Sequence, residues 1–142
     1  MKVSARNVFT GRVSAVKPGS VNAEIEITLA GSDRLVAIIT MESVKSLGIG
    51  VGSDVVALVK APWVMLMTDA SGVRLSARNC LAGTVKAVAP GAVNAEVVLT
   101  LAGGAEVAAI VTKEAVAELG LKPGVAATAV IKASHVVLGV PT

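Results

Sequence analysis

The sequence repeats itself after 72 residues without a gap. The tetrapeptide Ser-Ala-Arg-Asn at Ser4–Asn7 returns unchanged at Ser76–Asn79. When the chain is aligned with itself at this offset, 31 of the 67 residue pairs from the first of these serines onward are identical. Because an internal repeat decides the domain organisation, we predict two copies of one unit, at residues 1–70 and 73–142, joined by a short linker.

Each copy is too small to bury all the apolar residues that it carries. Hydrophobic residues make up 54% of the chain and the mean hydropathy is +0.76, whereas ordinary globular chains are about 45–50% apolar. Small units leave much of their surface exposed. We therefore predict that the copies pack on each other and on further chains, since obligate interfaces resemble a divided core.

A membrane or secreted location is not expected from this sequence. No apolar run approaches the roughly 18–20 residues of a membrane-spanning helix, and the first residues do not resemble a secretory signal. The single cysteine, Cys80, cannot form an internal disulfide. Cytoplasmic location is therefore the expectation.

Each copy is predicted to contain five strands and one short helix. In the first copy we expect strands at Met1–Val16, Val21–Ala30, Leu35–Ile39, Val55–Ala61 and Val64–Thr68, with the helix at Thr40–Gly48 between the third and fourth strands. Apolar and polar residues alternate in the second strand, which is typical of a half-buried strand. The second copy repeats the order, with its helix at Thr112–Gly120.

Capping residues bound the helix in the same way in both copies. Thr40 and Thr112 are suitable N-caps, and Gly48 and Gly120 are suitable C-terminal stops. Three strands, a short helix and two more strands form the order of an OB-type barrel. We therefore predict a mainly all-β fold of two tandem OB-type five-stranded barrels. A small SH3-like barrel is the nearest alternative.

Residues suited to catalysis or to binding a metal cation are scarce and are not repeated. The only histidine, His135, aligns with Trp63, and Cys80 aligns with Val8. Nucleophilic catalysis requires a nucleophile beside a base, and cation sites require clusters of His, Cys, Asp or Glu. We therefore expect no enzyme, no metal-cation site and no organic cofactor.

Nucleic-acid binding is also not expected, although an OB-type barrel makes it an alternative. Binding to single strands relies on aromatic stacking platforms and a basic groove. Phe9 and Trp63 are the only aromatic residues, and both lie in the first copy. The net charge of +3 and the pI of about 9.3 are mild. They suit small anions better than a polyanion.

Hydrogen-bond donors are repeated where a core does not require them. They are Ser4, Arg6, Asn7, Asn22 and Lys60, which return as Ser76, Arg78, Asn79, Asn94 and Lys132. Hydroxyl, guanidinium, amide and ammonium donors can together hold a compact oxyanion. Alternatives stay open: the tetrapeptide is an interface motif between chains or a bulge motif, the lysines protect strand edges, and Asn22 and Asn94 bond their own turns.

The ordered set of motifs in both copies resembles the Mop domain, the molybdate-binding OB-type module of the molbindins. The matching motifs are Ser-Ala-Arg-Asn, Gly-x-Val, Val-Asn-Ala-Glu after a Pro-Gly turn, and Lys-Ala-Ser-His-Val at Lys132–Val136. The resemblance implies cytoplasmic binding and storage of molybdate, and of tungstate, for molybdenum homeostasis. It also implies a homotrimer with anions between subunits. A structural oligomerisation module without a ligand is the alternative.

The resemblance also implies the binding residues. The side chains are Ser4, Arg6 and Lys60 for one class of anion, and Ser76, Arg78, Lys132 and Ser134 for the equivalent class. Backbone donors are expected from Ser20, Val21, Asn22 and Ala23, and from Ala92, Val93, Asn94 and Ala95. The first copy departs from the family at Pro62 and Trp63, where the second copy has Ser134 and His135. Because proline lacks both a hydroxyl and a backbone donor, the two sites are predicted to differ.

Overall fold

The computed structural model describes residues 1–69 and 71–142, in which the chain forms ten β-strands and two α-helices. The first six elements are β1 (Asn7–Pro18), β2 (Asn22–Leu29), β3 (Arg34–Thr40), α1 (Met41–Leu47), β4 (Asp54–Val59) and β5 (Met65–Met67). The next six are β6 (Asn79–Pro90), β7 (Asn94–Leu101), β8 (Glu106–Thr112), α2 (Lys113–Leu119), β9 (Ala126–Ile131) and β10 (Val137–Gly139). Ala70, where the first copy was predicted to end, lies outside the described residues.

The strands form two five-stranded antiparallel sheets, and the two copies exchange their last strands. The sheet orders are β10-β4-β1-β2-β3 and β5-β9-β6-β7-β8. In the first sheet Val137 lies opposite Leu58, and in the second Met65 lies opposite Val130. Two tandem OB-type barrels with a short helix between strands 3 and 4 are confirmed. The division into units at 1–70 and 73–142 stays a proposal, since each barrel includes a strand from the other copy.

Strand boundaries differ from the prediction at both ends of each barrel. The first strand begins at Asn7, not at Met1, because Asn7 is the first residue paired with β4, opposite Val59. The fourth strand ends at Val59, and a single 3₁₀ turn follows at Ala61–Trp63. This turn, and its equivalent at Ala133–His135, precedes the strand that joins the other barrel.

The predicted helix caps are confirmed in both copies. The Thr40 hydroxyl accepts a hydrogen bond from the backbone N–H of Ser43 at 3.1 Å, and Gly48 adopts a left-handed φ of 64°. Thr112 accepts in the same way from Ala115 at 3.1 Å. The caps bond backbone groups that the first and last turns would otherwise leave unpaired. Both helices have seven residues, and the described part of the chain contains no helix with the length and apolarity needed to cross a membrane.

The core follows the alternation of β2 and β7. Ile25 and Ile27 are fully buried, as are Val97 and Leu99, while the residues between them are half-buried. Burial of each such side chain contributes about 1.5–3 kcal/mol. One continuous cluster of buried residues includes side chains from both copies, so the tandem shares its hydrophobic core.

Equivalent residues of the two copies meet at two places, which define an approximate two-fold axis. The rings of Trp63 and His135 lie with their centroids 5.1 Å apart. Gly31 approaches Gly103 so closely that a Cβ on Gly31 would lie 2.1 Å from the Gly103 carbonyl oxygen. Each pair is separated by the repeat length of 72 residues. Backbone contact at the glycine pair therefore requires that both residues lack a side chain.

Candidate functional site

The buried asparagines of the repeated tetrapeptide join the two copies. Asn7 donates from Nδ2 to the carbonyl oxygen of Ala108 at 2.8 Å and accepts from the same residue's N–H at 2.7 Å. Asn79 makes the equivalent pair of bonds with Val36, both at 2.7 Å. Only 2% of Asn7 and 1% of Asn79 is exposed. Each amide therefore pairs with an edge of β3 or β8, as a neighbouring strand would.

The arginines of the tetrapeptide also reach the other copy. Arg6 Nη2 lies 2.7 Å from Glu96 Oε1, and Arg78 Nη1 lies 2.5 Å from Glu24 Oε2. The four residues form two equivalent ion pairs that run in opposite directions between the copies. With the bonds of the asparagines, these contacts make the tetrapeptide an interface between the two copies of one chain, whereas the sequence interpretation placed it between chains.

Ser4 and Lys60 share a cleft of about 280 Å³, here called the first cleft. Its lining also includes Val3, Ala5, Leu58, Trp63 and, from the second copy, Val137. Both predicted donors are exposed, and Lys60 Nζ lies 5.6 Å from the centroid of the Trp63 ring. Arg6 does not line this cleft. Arg6 lines a separate cleft of about 350 Å³ together with Glu106.

The equivalent donors of the second copy lie at the same end of β6 and β9. Asn79 is opposite Ile131 in the antiparallel pair, so Arg78, just before Asn79, and Lys132, just after Ile131, extend beyond the pair at the same end. Ser76, Lys132 and Ser134 are exposed, the last on the 3₁₀ turn at Ala133–His135. Strand register therefore places the second-copy side chains that the resemblance implied at one end of the sheet.

The turns at Ser20–Ala23 and Ala92–Ala95 lie far from the donors of their own copy. Each turn is at the opposite end of a twelve-residue strand, and strands rise about 3.3 Å per residue. Glu24 follows the first turn directly and bonds Arg78 of the other copy. The first turn therefore lies beside Arg78 of the second copy, and the second turn, which Glu96 follows, lies beside Arg6 of the first.

Within the turns, the residues differ in access. Ser20, Val21 and Asn22 are exposed, as are Ala92, Val93 and Asn94, with 70% of Val21 and 72% of Val93 accessible. Ala23 and Ala95 are buried in the sheet at 2% and 3%. The first three residues of each turn are thus the ones that present groups to solvent.

Sequence reasoning missed two features of the site. They are the ion pairs of Glu24 and Glu96 with the arginines and the position of Trp63 in the lining of the first cleft. Glu24 and Glu96 are identical in both copies, and that identity was the available signal. Ion pairing across 90 and 54 residues has no local sequence pattern. Among the described residues, no three of His, Cys, Asp and Glu come close enough to hold a metal ion.

Comparison with known proteins agrees with this architecture. The family model of the TOBE domain matches the chain twice, at residues 3–66 and 75–138. The chain belongs to the TOBE domain family. Its two TOBE domains in tandem confirm the Mop-type tandem predicted from the repeated motifs.

Three similar proteins carry names related to molybdenum. A structure of the cytoplasmic molybdate-binding protein ModG, with molybdate bound, is 67% identical, with a TM-score of 0.95, over 99% of this chain and 100% of that chain. Molybdenum transport protein ModE of Herbaspirillum seropedicae is 45% identical over 140 residues, which are 99% of this chain and 52% of the relative. Molybdenum-pterin-binding protein MopA of Rhodobacter capsulatus is 43% identical over 141 residues, 99% of this chain and 53% of the relative.

The chain spans about half the length of the curated relatives it matches. The similarity to ModG, in contrast, extends over both chains almost completely. None of these three names is that of an enzyme, which agrees with the prediction made from the sequence.

Proposed function

We propose that this protein binds molybdate reversibly in the cytoplasm and stores it for molybdenum homeostasis. The observation that carries the proposal is the full-length similarity to ModG, at 67% identity and a TM-score of 0.95. The exposed, repeated hydroxyl and ammonium donors support it, because they suit a tetrahedral oxyanion. Tungstate has the same charge and shape, so it is proposed as a second ligand.

Each proposed site combines donors from both copies. One consists of Ser4, Arg6 and Lys60 with the backbone of Ala92–Ala95, and the other of Ser76, Arg78, Lys132 and Ser134 with the backbone of Ser20–Ala23. The ion pairs between Arg6 and Glu96, and between Arg78 and Glu24, support this grouping. Burial of a dianion requires such pairing, since an unpaired buried charge is costly.

The ion pairs with the glutamates weaken the attraction of the arginines for an anion. Glu96 already compensates the Arg6 guanidinium at 2.7 Å, and its carboxylate repels an approaching anion. Because a guanidinium has five N–H donors, Arg6 can bond an oxyanion and keep one contact with Glu96. Lys60 and Lys132 carry no such carboxylate contact among the ion pairs of the described residues. We therefore assign most of the attraction to the lysines.

A homotrimer with anions at its subunit interfaces is proposed as the assembly. Large apolar side chains remain exposed around the first cleft, including Val3, Trp63 and Val137. A further chain covering them would also remove a bound anion from water, where charge-assisted hydrogen bonds are stronger. Nucleic acid and membranes are not proposed as partners.

A ligand-free interaction module is the second candidate. The bonds from Asn7 and Asn79 to the opposite copy favour it, because they give one residue of each tetrapeptide a purely structural role. Under this alternative the lysines only protect strand ends from further pairing.

Isothermal titration calorimetry with sodium molybdate distinguishes the two candidates. The wild-type protein should bind molybdate and should not bind sulfate at the same concentration. The double variant Lys60→Met/Lys132→Met should lose most of the binding, while the control Lys45→Met, an exposed lysine on α1, should retain it. Absence of heat with the wild-type protein would leave the interaction module as the function.

A further inference from the structure

The two proposed sites differ in the aromatic residue beside their lysine. Trp63 follows Lys60 by three residues, and His135 follows Lys132 by the same interval. We infer that Trp63 is a positioning residue that holds the Lys60 ammonium in the first cleft, ready for an oxyanion, and that the second copy lacks this device. The inference rests on the proposed molybdate binding and adds that the two sites of one chain have different affinities.

The position of Trp63 is fixed by its backbone and by its neighbour. Its backbone N–H donates to the carbonyl oxygen of Lys60 at 3.0 Å within the 3₁₀ turn. Its ring lies against His135 at 5.1 Å between centroids, with the planes tilted by 37°. His135 of the other copy therefore supports the ring. Trp63 remains 41% accessible and lines the first cleft.

The contact with Lys60 has the geometry of a cation–π interaction. Nζ lies 5.6 Å from the ring centroid, within the roughly 6 Å at which a ring face attracts an ammonium. A free lysine side chain samples many rotamers, and ordering it opposes anion binding. Because the ring already restricts Lys60 next to Ser4, less of that entropy is lost when an anion enters.

The ammonium can contact the ring and an anion together. It has three N–H donors, and the ring occupies only one side of it. For Lys132, the structure records no cation–π contact within residues 1–69 and 71–142. The contribution of Lys60 to molybdate affinity should therefore be larger than that of Lys132, which no ring of the described residues restricts.

The test measures molybdate affinity in chains where one site is disabled. In a Lys132→Met background, Trp63→Leu should raise the Kd of the remaining site about two- to fivefold, the equivalent of an exposed cation–π contact. Trp63→Phe, which keeps a ring, should stay within about twofold of the parent. In a Lys60→Met background, Trp63→Leu should change the Kd by less than in the first background.

Each outcome decides between the possible roles of Trp63. An unchanged Kd for Trp63→Leu in the Lys132→Met chain would overturn the inference. An equal rise in both backgrounds would also overturn it, because Trp63 would then act through general packing. If the wild-type protein binds molybdate, either result overturns the inference about Trp63 and leaves the proposed function standing. If the wild-type protein binds no molybdate, both the proposed function and the inference that rests on it are wrong.

Discussion

Arg6 shows how one residue of the repeated tetrapeptide serves both the assembly of the copies and the proposed binding. It is paired with Glu96, yet 59% of its side chain is accessible. Exposed ion pairs contribute only about 0–1 kcal/mol to stability. The guanidinium is therefore available to an anion, and its replacement should leave the fold intact.

Arg6→Ala and Glu96→Gln should change molybdate affinity in opposite directions. Removal of the arginine should raise the Kd, whereas removal of the glutamate charge should lower it, because the carboxylate repels the dianion. Calorimetry measures both, and Arg12→Ala is the matched control, since Arg12 pairs with Asp54 within one copy. If both variants have the wild-type Kd, Arg6 is only an interface residue.

Asn7 should matter for stability more than for binding. Asn7→Ala would leave the N–H and the carbonyl of buried Ala108 without partners, at a cost of about 1–3 kcal/mol for each group. Urea unfolding should therefore show a loss of about 2–6 kcal/mol in the free energy of unfolding. Asn94→Ala, at an exposed position, is the control, and an equal effect in the two variants would contradict the structural role of Asn7.

Ser134 should contribute to the second site, where Pro62 in the first copy cannot. Ser134→Ala should weaken molybdate binding by about 1.5–3 kcal/mol, the range for a hydrogen bond to a charged partner. Ser46→Ala removes an exposed hydroxyl from α1 and is the control. A Ser134→Ala protein with unchanged affinity would remove this residue from the site.

The exchanged strands are the element-scale feature with the largest consequence, because each barrel depends on the other copy. A cysteine pair tests them directly. In a Cys80→Val background, Leu58→Cys with Val137→Cys should form a disulfide, since these residues lie opposite each other in β4 and β10. Leu58→Cys with Met65→Cys should not, although that pair would be adjacent if each copy kept its own last strand. Mass spectrometry under oxidising conditions reads out both, and the reverse pattern would refute the exchange.

Local signals predicted the elements but not their pairing between copies. The threonine caps and terminal glycines fixed the helices, and alternation fixed β2 and β7. The last strands Met65–Met67 and Val137–Gly139 are both short and apolar, and β4 and β9 present equivalent edges. Nothing in the residues themselves distinguishes pairing within a copy from pairing across copies.

The residues of the candidate site could be predicted from the sequence, but which of them belong to the same site could not. Repetition identified Ser4, Arg6 and Lys60 as donors that a core does not need. The assignment of the Ala92–Ala95 turn to the same site as these donors depends on tertiary contacts. The position of Trp63 in the first cleft depends on tertiary contacts as well. Long-range ion pairs and stacking leave no periodic trace in a sequence.

At the scale of the whole molecule, ligand and assembly should stabilise each other. A ligand that binds only the folded protein stabilises it by about 2.7 kcal/mol when its concentration is a hundred times the Kd. Thermal unfolding in molybdate should therefore begin at a higher temperature than in sulfate of equal ionic strength. If donors from neighbouring chains complete the sites, the shift should shrink when dilution separates the subunits. A shift of equal size in both salts would point to a general salt effect.

Native mass spectrometry of the wild-type protein, titrated with molybdate and separately with sulfate, tests the central claim most directly. We predict a trimer that gains several molybdate ions and retains no sulfate. An oligomer that gains neither ion would contradict the binding claim and leave the repeated donors as contacts between copies. A monomer would contradict the claim that the exposed apolar surface is covered by further chains.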